Sequence, residues 1–415
     1  MPADAAVGCA PGGRARAFSL CTALCQPGQT NWTLATGRLG EALALLRIGL
    51  ASDREGLQRA ARTALAEAVD GWGRGSRENT GLFTGFAGFA FVLAEFADVD
   101  ARYSNSFERA AAEFAATVRA ALPGLEQLPA MASDRVRDLF DGTVGWLCCS
   151  LRLRRTARGT LHRDLDRLTG DLVRFLATPH GTTPVAAHLL PTDESHASAW
   201  YRELYGTAHT PLGVAHGAAG TLAALSLAVL EGFDLPGLSD AVRHIALWFI
   251  EHRSRDTFGD YWLAALGHDA RTGRTVRDPR HTVPASWCKG TTGICGALAL
   301  AAAAAGDMPE LRPLASAALH AELSRQAAGW TGQEGLCHGR AGIGLVLSRT
   351  ALLLNDEVLA AARDVLTQVT CRTTGTDESS ENDRSLLTGA AGFALALSEP
   401  LTDPTLSWPR LFALA

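Results

Sequence analysis

The chain has 415 residues, 47% of them hydrophobic, and a formal net charge of -5. That length supports a large core, and the slight acidity gives no reason to expect nucleic acid or an anionic membrane as partner. Nine cysteines in so long a chain are an odd and sparse set, which argues against a disulfide framework and for a reducing compartment.

Near the start, Arg14 and Arg16 precede "AFSLCTALC". This apolar stretch is short and lacks a small-residue cleavage pattern, so it predicts a first helix rather than a secretion signal. A Gly-x-x-Gly motif then recurs seven times, as TGRLG at Gly37, TGFAG at Gly85, DGTVG at Gly142, HGAAG at Gly217, KGTTG at Gly290, HGRAG at Gly339 and TGAAG at Gly389. Each copy opens an apolar stretch rich in alanine and leucine, such as "TLAALSLAVL". Half-polar segments alternate with them: "REGLQRAARTALAEAV", "SFERAAAEFAATVRAAL", "LHRDLDRLTGDLVRFL", "LSDAVRHIALWFIEHR", "MPELRPLASAALHAELSRQ" and "DEVLAAARDVLTQV". The longest apolar run, "ICGALALAAAAAG", is too short to span a bilayer.

The first glycines lie 48, 57, 75, 73, 49 and 50 residues apart, so each repeat reads as two helices, one apolar all round and one amphipathic. A helix apolar all round must be buried on every side. Seven such helices with amphipathic partners predict an all-α fold of two concentric layers, an α/α toroid; an open solenoid is the plainer alternative. The glycines favour the toroid, because converging inner helices need close approach and an unusual turn. One domain over residues 1–415 is expected. The long stretches 179–212 and 254–287, rich in Pro, His, Thr and Gly, are expected to be loops at the mouth of the ring. Seven helix N-termini, with free N–H groups, would crowd one end and make it favourable for anions.

The residue before each first glycine is Thr36, Thr84, Asp141, His216, Lys289, His338 and Thr388. One place earlier stand Ala35, Phe83, Phe140, Ala215, Cys288, Cys337 and Leu387. Repetition puts these at equivalent points of a ring, so Cys288, Cys337 and His338 can converge although they belong to different repeats. Two thiolates and an imidazole suit zinc, and three protein ligands leave its fourth position open, as in catalytic sites. Cys9, Cys21, Cys25, Cys148, Cys149, Cys295 and Cys371 read as buried small hydrophobes. His216 is a candidate fourth ligand, general acid/base or core histidine, with acid/base chemistry preferred. Asp138 and Asp141 both stand near the third repeat's glycine, and either is placed to orient a histidine or to cap a helix.

"SWCKGTTGI", "LCHGRAGIG" and "VAHGAAG", set in seven Gly-x-x-Gly repeats, resemble the lanthionine synthetase C-like (LanC) cyclases over nearly the whole chain. The resemblance implies an α/α toroid with Zn2+ on Cys288, Cys337 and His338, and a catalytic role for His216. It selects Asp138 over Asp141 as the assisting carboxylate. The implied reaction is Michael-type addition of peptide Cys thiols to dehydroalanine or dehydrobutyrine, giving (methyl)lanthionine thioether rings. The substrate would be a ribosomal precursor peptide dehydrated beforehand by a separate dehydratase. No dehydratase segment is visible here, so a free-standing cytoplasmic cyclase is expected. Family analogy adds peripheral association with a membrane-bound complex of dehydratase and transporter. Two departures stand out: Lys289 follows the first zinc cysteine where relatives often have an aromatic residue or histidine, and Pro284 stands where several carry arginine. Arg280 or Arg340 is a candidate substitute for that arginine.

Two rival readings remain at this level. One is zinc-dependent alkylation of a peptide thiol by another electrophile, as in protein prenyltransferases, although no aspartate lies near Cys288. The other is a zinc-containing toroidal receptor for a peptide or glutathione, without cyclase activity.

Overall fold

The computed structural model describes residues 11–26, 31–74, 79–127, 136–178, 185, 188–191, 205–269, 274–276, 285–327, 334–372, 383–398, 403 and 405–415. Seven helices follow the seven glycine motifs: α2 (Arg38–Ala51), α4 (Phe86–Val99), α6 (Thr143–Thr156), α8 (Ala218–Leu230), α10 (Thr291–Ala305), α12 (Arg340–Leu354) and α14 (Ala390–Ser398). Nearly all their residues are buried on every face. They touch in sequence order, and α14 touches α2, so the inner layer closes on itself. The amphipathic segments form α3 (Glu55–Arg74), α5 (Ser104–Glu126), α7 (Gly159–Ala177), α9 (Leu238–Glu251), α11 (Leu311–Ala327) and α13 (Glu357–Arg372). Each packs on the inner helix before it. The seventh outer place is taken by α1 (Pro11–Leu24), which lies against α14 and α13. The fold is therefore the toroid, not the open solenoid. Among the described residues no helix is long and apolar enough to cross a membrane.

Closure is visible in the backbone at the rim. Ala35 N–H donates to Phe83 O at 2.9 Å, Phe83 to Phe140 at 3.1 Å, Leu139 to Ala215 at 2.9 Å and Ala215 to Cys288 at 3.1 Å. The series continues from Cys288 to Cys337 at 3.4 Å and from Cys337 to Leu387 at 2.8 Å, and returns from Leu387 to Ala35 at 3.3 Å. Every repeat thus donates at least one hydrogen bond to the next, and the last donates to the first. Near this seam Arg384 of the last repeat binds buried Glu41 of α2 at 2.7 Å.

The glycines have distinct tasks. At the second glycine of each motif, an added Cβ would collide with the carbonyl oxygen six residues earlier, for example at Gly342 with Leu336 O. Several also pack against the preceding repeat, as Gly145 does against Leu82. The first glycines cap the inner helices in extended backbone without a side-chain cap. The expectation of free N–H groups at these helix starts is met only in part. The first N–H of several inner helices is taken by the preceding loop: Arg38 N–H by Asn31 O at 2.9 Å, Phe86 by Asn79 at 2.9 Å and Ala390 by Asp383 at 2.7 Å.

The stretches expected as loops contain paired strands in their described parts. β1 (Leu190–Pro191), β2 (Ala208–Pro211), β5 (Ala265–Asp269) and β6 (Arg274–Val276) form one antiparallel sheet, with Ala208 opposite His268 and Gly267 opposite Val276. β3 (Ser254–Arg255) and β4 (Asp260–Tyr261) form a separate pair. The two insertions thus bind each other. β2 runs directly into the turn that carries His216, and Trp262 N–H reaches Thr291 Oγ1 at 3.1 Å at the start of α10. Below the rim, the 3-10 turn Trp408–Phe412 fills the interior, where Phe412 O accepts from Trp287 Nε1 at 2.9 Å.

At the other end of the ring the inner helices carry buried charge. Arg152 of α6 meets Glu95 of α4 at 2.7 Å, and both side chains are 1% exposed. Glu95 also accepts from Ser407 Oγ at 2.5 Å. Arg410 of the interior turn pairs with Glu231 at 2.7 Å.

Candidate metal centre and its acid/base pair

The rim turns deliver their residues to one place. In the fifth and sixth repeats, Cys288, Cys337 and His338 each offer a ligand atom, and these atoms all lie within 4.8 Å of one another. Among the described residues no other group of three or more His, Cys, Asp or Glu side chains meets this condition. Both cysteines are buried and His338 is exposed, so the cluster opens on one side. Cys337 Sγ lies 3.7 Å from His338 Nε2. A tetrahedral zinc site with bonds of about 2.0 to 2.3 Å has ligand edges of about 3.5 to 3.8 Å. The donor set and its spacing fit that ion.

The electrostatics point the same way. The hydrogen bond from Cys337, with that of His338, holds the Cys288 thiol well below the ordinary range. The same contact, with burial, pushes Cys337 up, and the hydrogen bond with Cys288 raises His338. Two thiolates so close repel each other strongly, so the cluster keeps a proton among its members unless a cation replaces it. Ser286 Oγ lies 3.9 Å from Cys288 Sγ and is buried, a neighbour that sequence reasoning missed. Trp287, next to the cysteine, is anchored by its bond to Phe412 and fixes the turn from below.

His216 stands at the adjacent rim turn and is not part of the three-residue cluster. Its Nδ1 lies 3.0 Å from Asp138 Oδ2, with side-chain exposures of 40% and 4%. The ring rests on Phe140, centroids 4.9 Å apart. Asp138's other oxygen accepts the Asp141 N–H at 2.7 Å. Burial raises the Asp138 carboxyl, opposed by the hydrogen bond to His216. Asp141 points elsewhere: its carboxylate takes the Thr84 hydroxyl of the second repeat. Of the two aspartates, only Asp138 is brought to the histidine.

The other rim positions are structural. Thr36 is held by Asn31 Nδ2 at 2.7 Å, Thr84 by Asn79 Nδ2 at 2.7 Å and Thr388 by Asp383 Oδ2 at 2.5 Å. The partner always stands five residues earlier. In the fourth and fifth repeats that place holds Pro211 and Pro284, which offer no such side chain. The third repeat has Val136 and the sixth Gln333 at this place, so the position alone does not separate structural from chemical turns. Arg340 is buried and lies 3.8 Å from Glu334, while Arg280 and Pro284 fall outside the described residues.

Cys21, Cys148, Cys149 and Cys295 are buried free thiols, as expected. Cys25 is exposed instead, because it follows the last residue of α1. Cys9 and the side chain of Cys371 lie outside the described residues.

A family model described as lanthionine synthetase C-like protein matches residues 28–413. A solved structure of nisin cyclase superposes with a TM-score of 0.76, at 18% identity, covering 96% of this chain and 96% of that chain. That likeness speaks for the fold. No curated protein matches the sequence.

Proposed function

The chain belongs to the lanthionine synthetase C-like family, and from that premise we propose that it is a zinc-dependent lanthipeptide cyclase acting as one toroidal unit. The observation that carries the reading is the Cys288–Cys337–His338 cluster beside the pair of buried Asp138 and half-exposed His216. Those three side chains would hold the zinc. Bound there, zinc supplies Lewis acidity that ionises and orients a peptide thiol, which is mostly protonated at neutral pH when free.

The rest falls to the chain's own groups. As the peptide sulfur bonds to the β-carbon of a dehydroalanine or dehydrobutyrine, the double-bond electrons move onto the carbonyl oxygen as an enolate. The α-carbon must then take a proton. Asp138 holds Nδ1 of His216 and so leaves Nε2 as the exchanging nitrogen. His216 delivers the proton, and Asp138 stabilises the imidazolium that precedes delivery. The sum is transfer of the thiol proton to carbon with no other reactant. The substrate would be a precursor peptide already dehydrated by a separate dehydratase. We place the protein in the cytoplasm, in association with that dehydratase and a transporter.

The test uses a synthetic peptide with one dehydroalanine and one cysteine. Cyclisation leaves its mass unchanged, so free thiols are counted by alkylation. The expected result is stoichiometric zinc and thiol loss with the natural protein, and neither with Cys337→Ala. Stoichiometric zinc with the peptide thiol intact overturns the reading and leaves a toroidal receptor.

A further inference from the structure

Of the chain's 38 lysine and arginine residues, Lys289 is the only lysine. It is also the residue directly after Cys288. On the rim it occupies the position between those of His216 and His338. The fourth repeat's turn packs tightly on it: a Cβ added at Gly213 would meet Cys288 O and come within 2.7 Å of Lys289 Cα. The backbone of Lys289 is therefore fixed beside the His216 turn. Its side chain is exposed, and among the described residues no hydrogen bond or ion pair engages it. Asp141, the one carboxylate at a rim position, is committed to Thr84.

Everywhere else the chain meets its need for positive charge with arginine. An ammonium differs from a guanidinium in being a compact charge on a flexible stem, able to follow a small oxyanion. We propose that Lys289 is the cation that faces the enolate oxygen during thioether formation, an inference that rests on the cyclase reading. As the carbon–sulfur bond forms, the electron pair displaced from the double bond settles on the substrate carbonyl oxygen. Lys289 stabilises it there by charge and hydrogen bonding, neither giving nor keeping a proton. When His216 protonates the α-carbon, the pair returns to the carbon–hydrogen bond and the carbonyl is restored.

Because the chain has a single lysine, amine-directed reagents address this site and the N-terminal amine alone. Acetylation with an N-hydroxysuccinimide ester removes the charge, while reductive methylation keeps it. With the dehydroalanine–cysteine peptide, acetylation of the zinc-loaded protein is expected to lower kcat by about 10- to 100-fold, as for loss of an oxyanion partner at a partly solvated site. KM and zinc content should stay within about twofold, and reductive methylation should leave kcat within about threefold, because the charge persists. Lys289→Met should match the acetylated protein. Lys289→Arg should lose less than Lys289→Met and should not respond to acetylation, which removes the N-terminal amine from consideration. Full kcat after verified acetylation of Lys289, or an effect confined to KM, overturns the proposal. Natural protein that binds zinc but never consumes the peptide thiol takes down the cyclase reading, and this proposal with it.

Discussion

Glu95→Ala tests whether buried charge at the far end of the ring acts as a single closed unit. Glu95 is surrounded by Arg152 at 2.7 Å, Ser407 Oγ at 2.5 Å and Arg47 at 3.7 Å. Burial opposes its ionisation, but Arg152 and Arg47 hold the carboxyl below its usual range. Truncation leaves the Arg152 guanidinium, 1% exposed, with only Asp98, which is 45% exposed, as a charged partner. Orphaning one member of a buried ion pair costs about 3 to 5 kcal/mol. With an unfolding entropy of about 2 cal/mol/K per residue over 415 residues, that becomes a fall in Tm of about 4 to 6 °C. Glu95→Leu combined with Arg152→Met should recover most of the loss, since the charge and its desolvation disappear together. Thermal melts give the change in Tm, and urea melts followed by circular dichroism give the free energies of Glu95→Ala, of the singles Glu95→Leu and Arg152→Met, and of the double variant. If the single variant costs under about 1 kcal/mol, or the double variant equals the sum of the singles, the pair is not the unit described.

Asp138→Asn should keep zinc stoichiometry and fold but lower kcat by about 10²-fold or more, because a neutral amide can still accept from Nδ1 but lacks the charge that stabilises an imidazolium; unchanged turnover removes the residue from the mechanism. Gly342→Ala should destabilise by about 3 kcal/mol, as its Cβ meets the Leu336 carbonyl, while Gly344→Ala, with nothing nearer than Leu366 Cδ2 at 3.9 Å, should be neutral or stabilising by about 1 kcal/mol. Equal effects in thermal melts would discount the packing role assigned to the second glycine. Burial pushes His188 down to about 3, and its Nε2 lies 3.0 Å from Thr221 Oγ1. The unfolded chain therefore binds a proton there that the folded chain refuses, and stability should fall by about 1.4 kcal/mol per pH unit from about 6.5 toward 3. His188→Gln should lose that part of the acid slope in urea midpoints measured against pH; an unchanged slope refutes it.

The glycine pattern made the architecture legible because each repeat needs the same close contact, and periodicity of apolar residues told inner helices from outer ones. The convergence of Cys288 with Cys337 and His338 followed from equivalence of repeats, since equal positions in a closed ring become neighbours in space. Other features left no local mark. Strands of two to five residues are too short for an alternating pattern, and β2 finds its partner β5 more than fifty residues away. The ring's far-end ion pairs hide as single charges, such as Glu95 in "FVLAEFADV", that dominate no helix face. The choice between Asp138 and Asp141 depended on a turn whose backbone aims one carboxylate at His216 and the other at Thr84.

The seven amide links from turn to turn all run in one direction and end where they began, which fixes the circumference of the opening. Such an aperture cannot dilate like an iris without parting at least one link. On the proposed cyclase reading, a peptide would present its reacting pair to the rim from outside, as a loop lowered onto an anvil. The span between the two residues to be joined would then be set by the slack of that loop, and one rigid surface would serve small and large cycles alike.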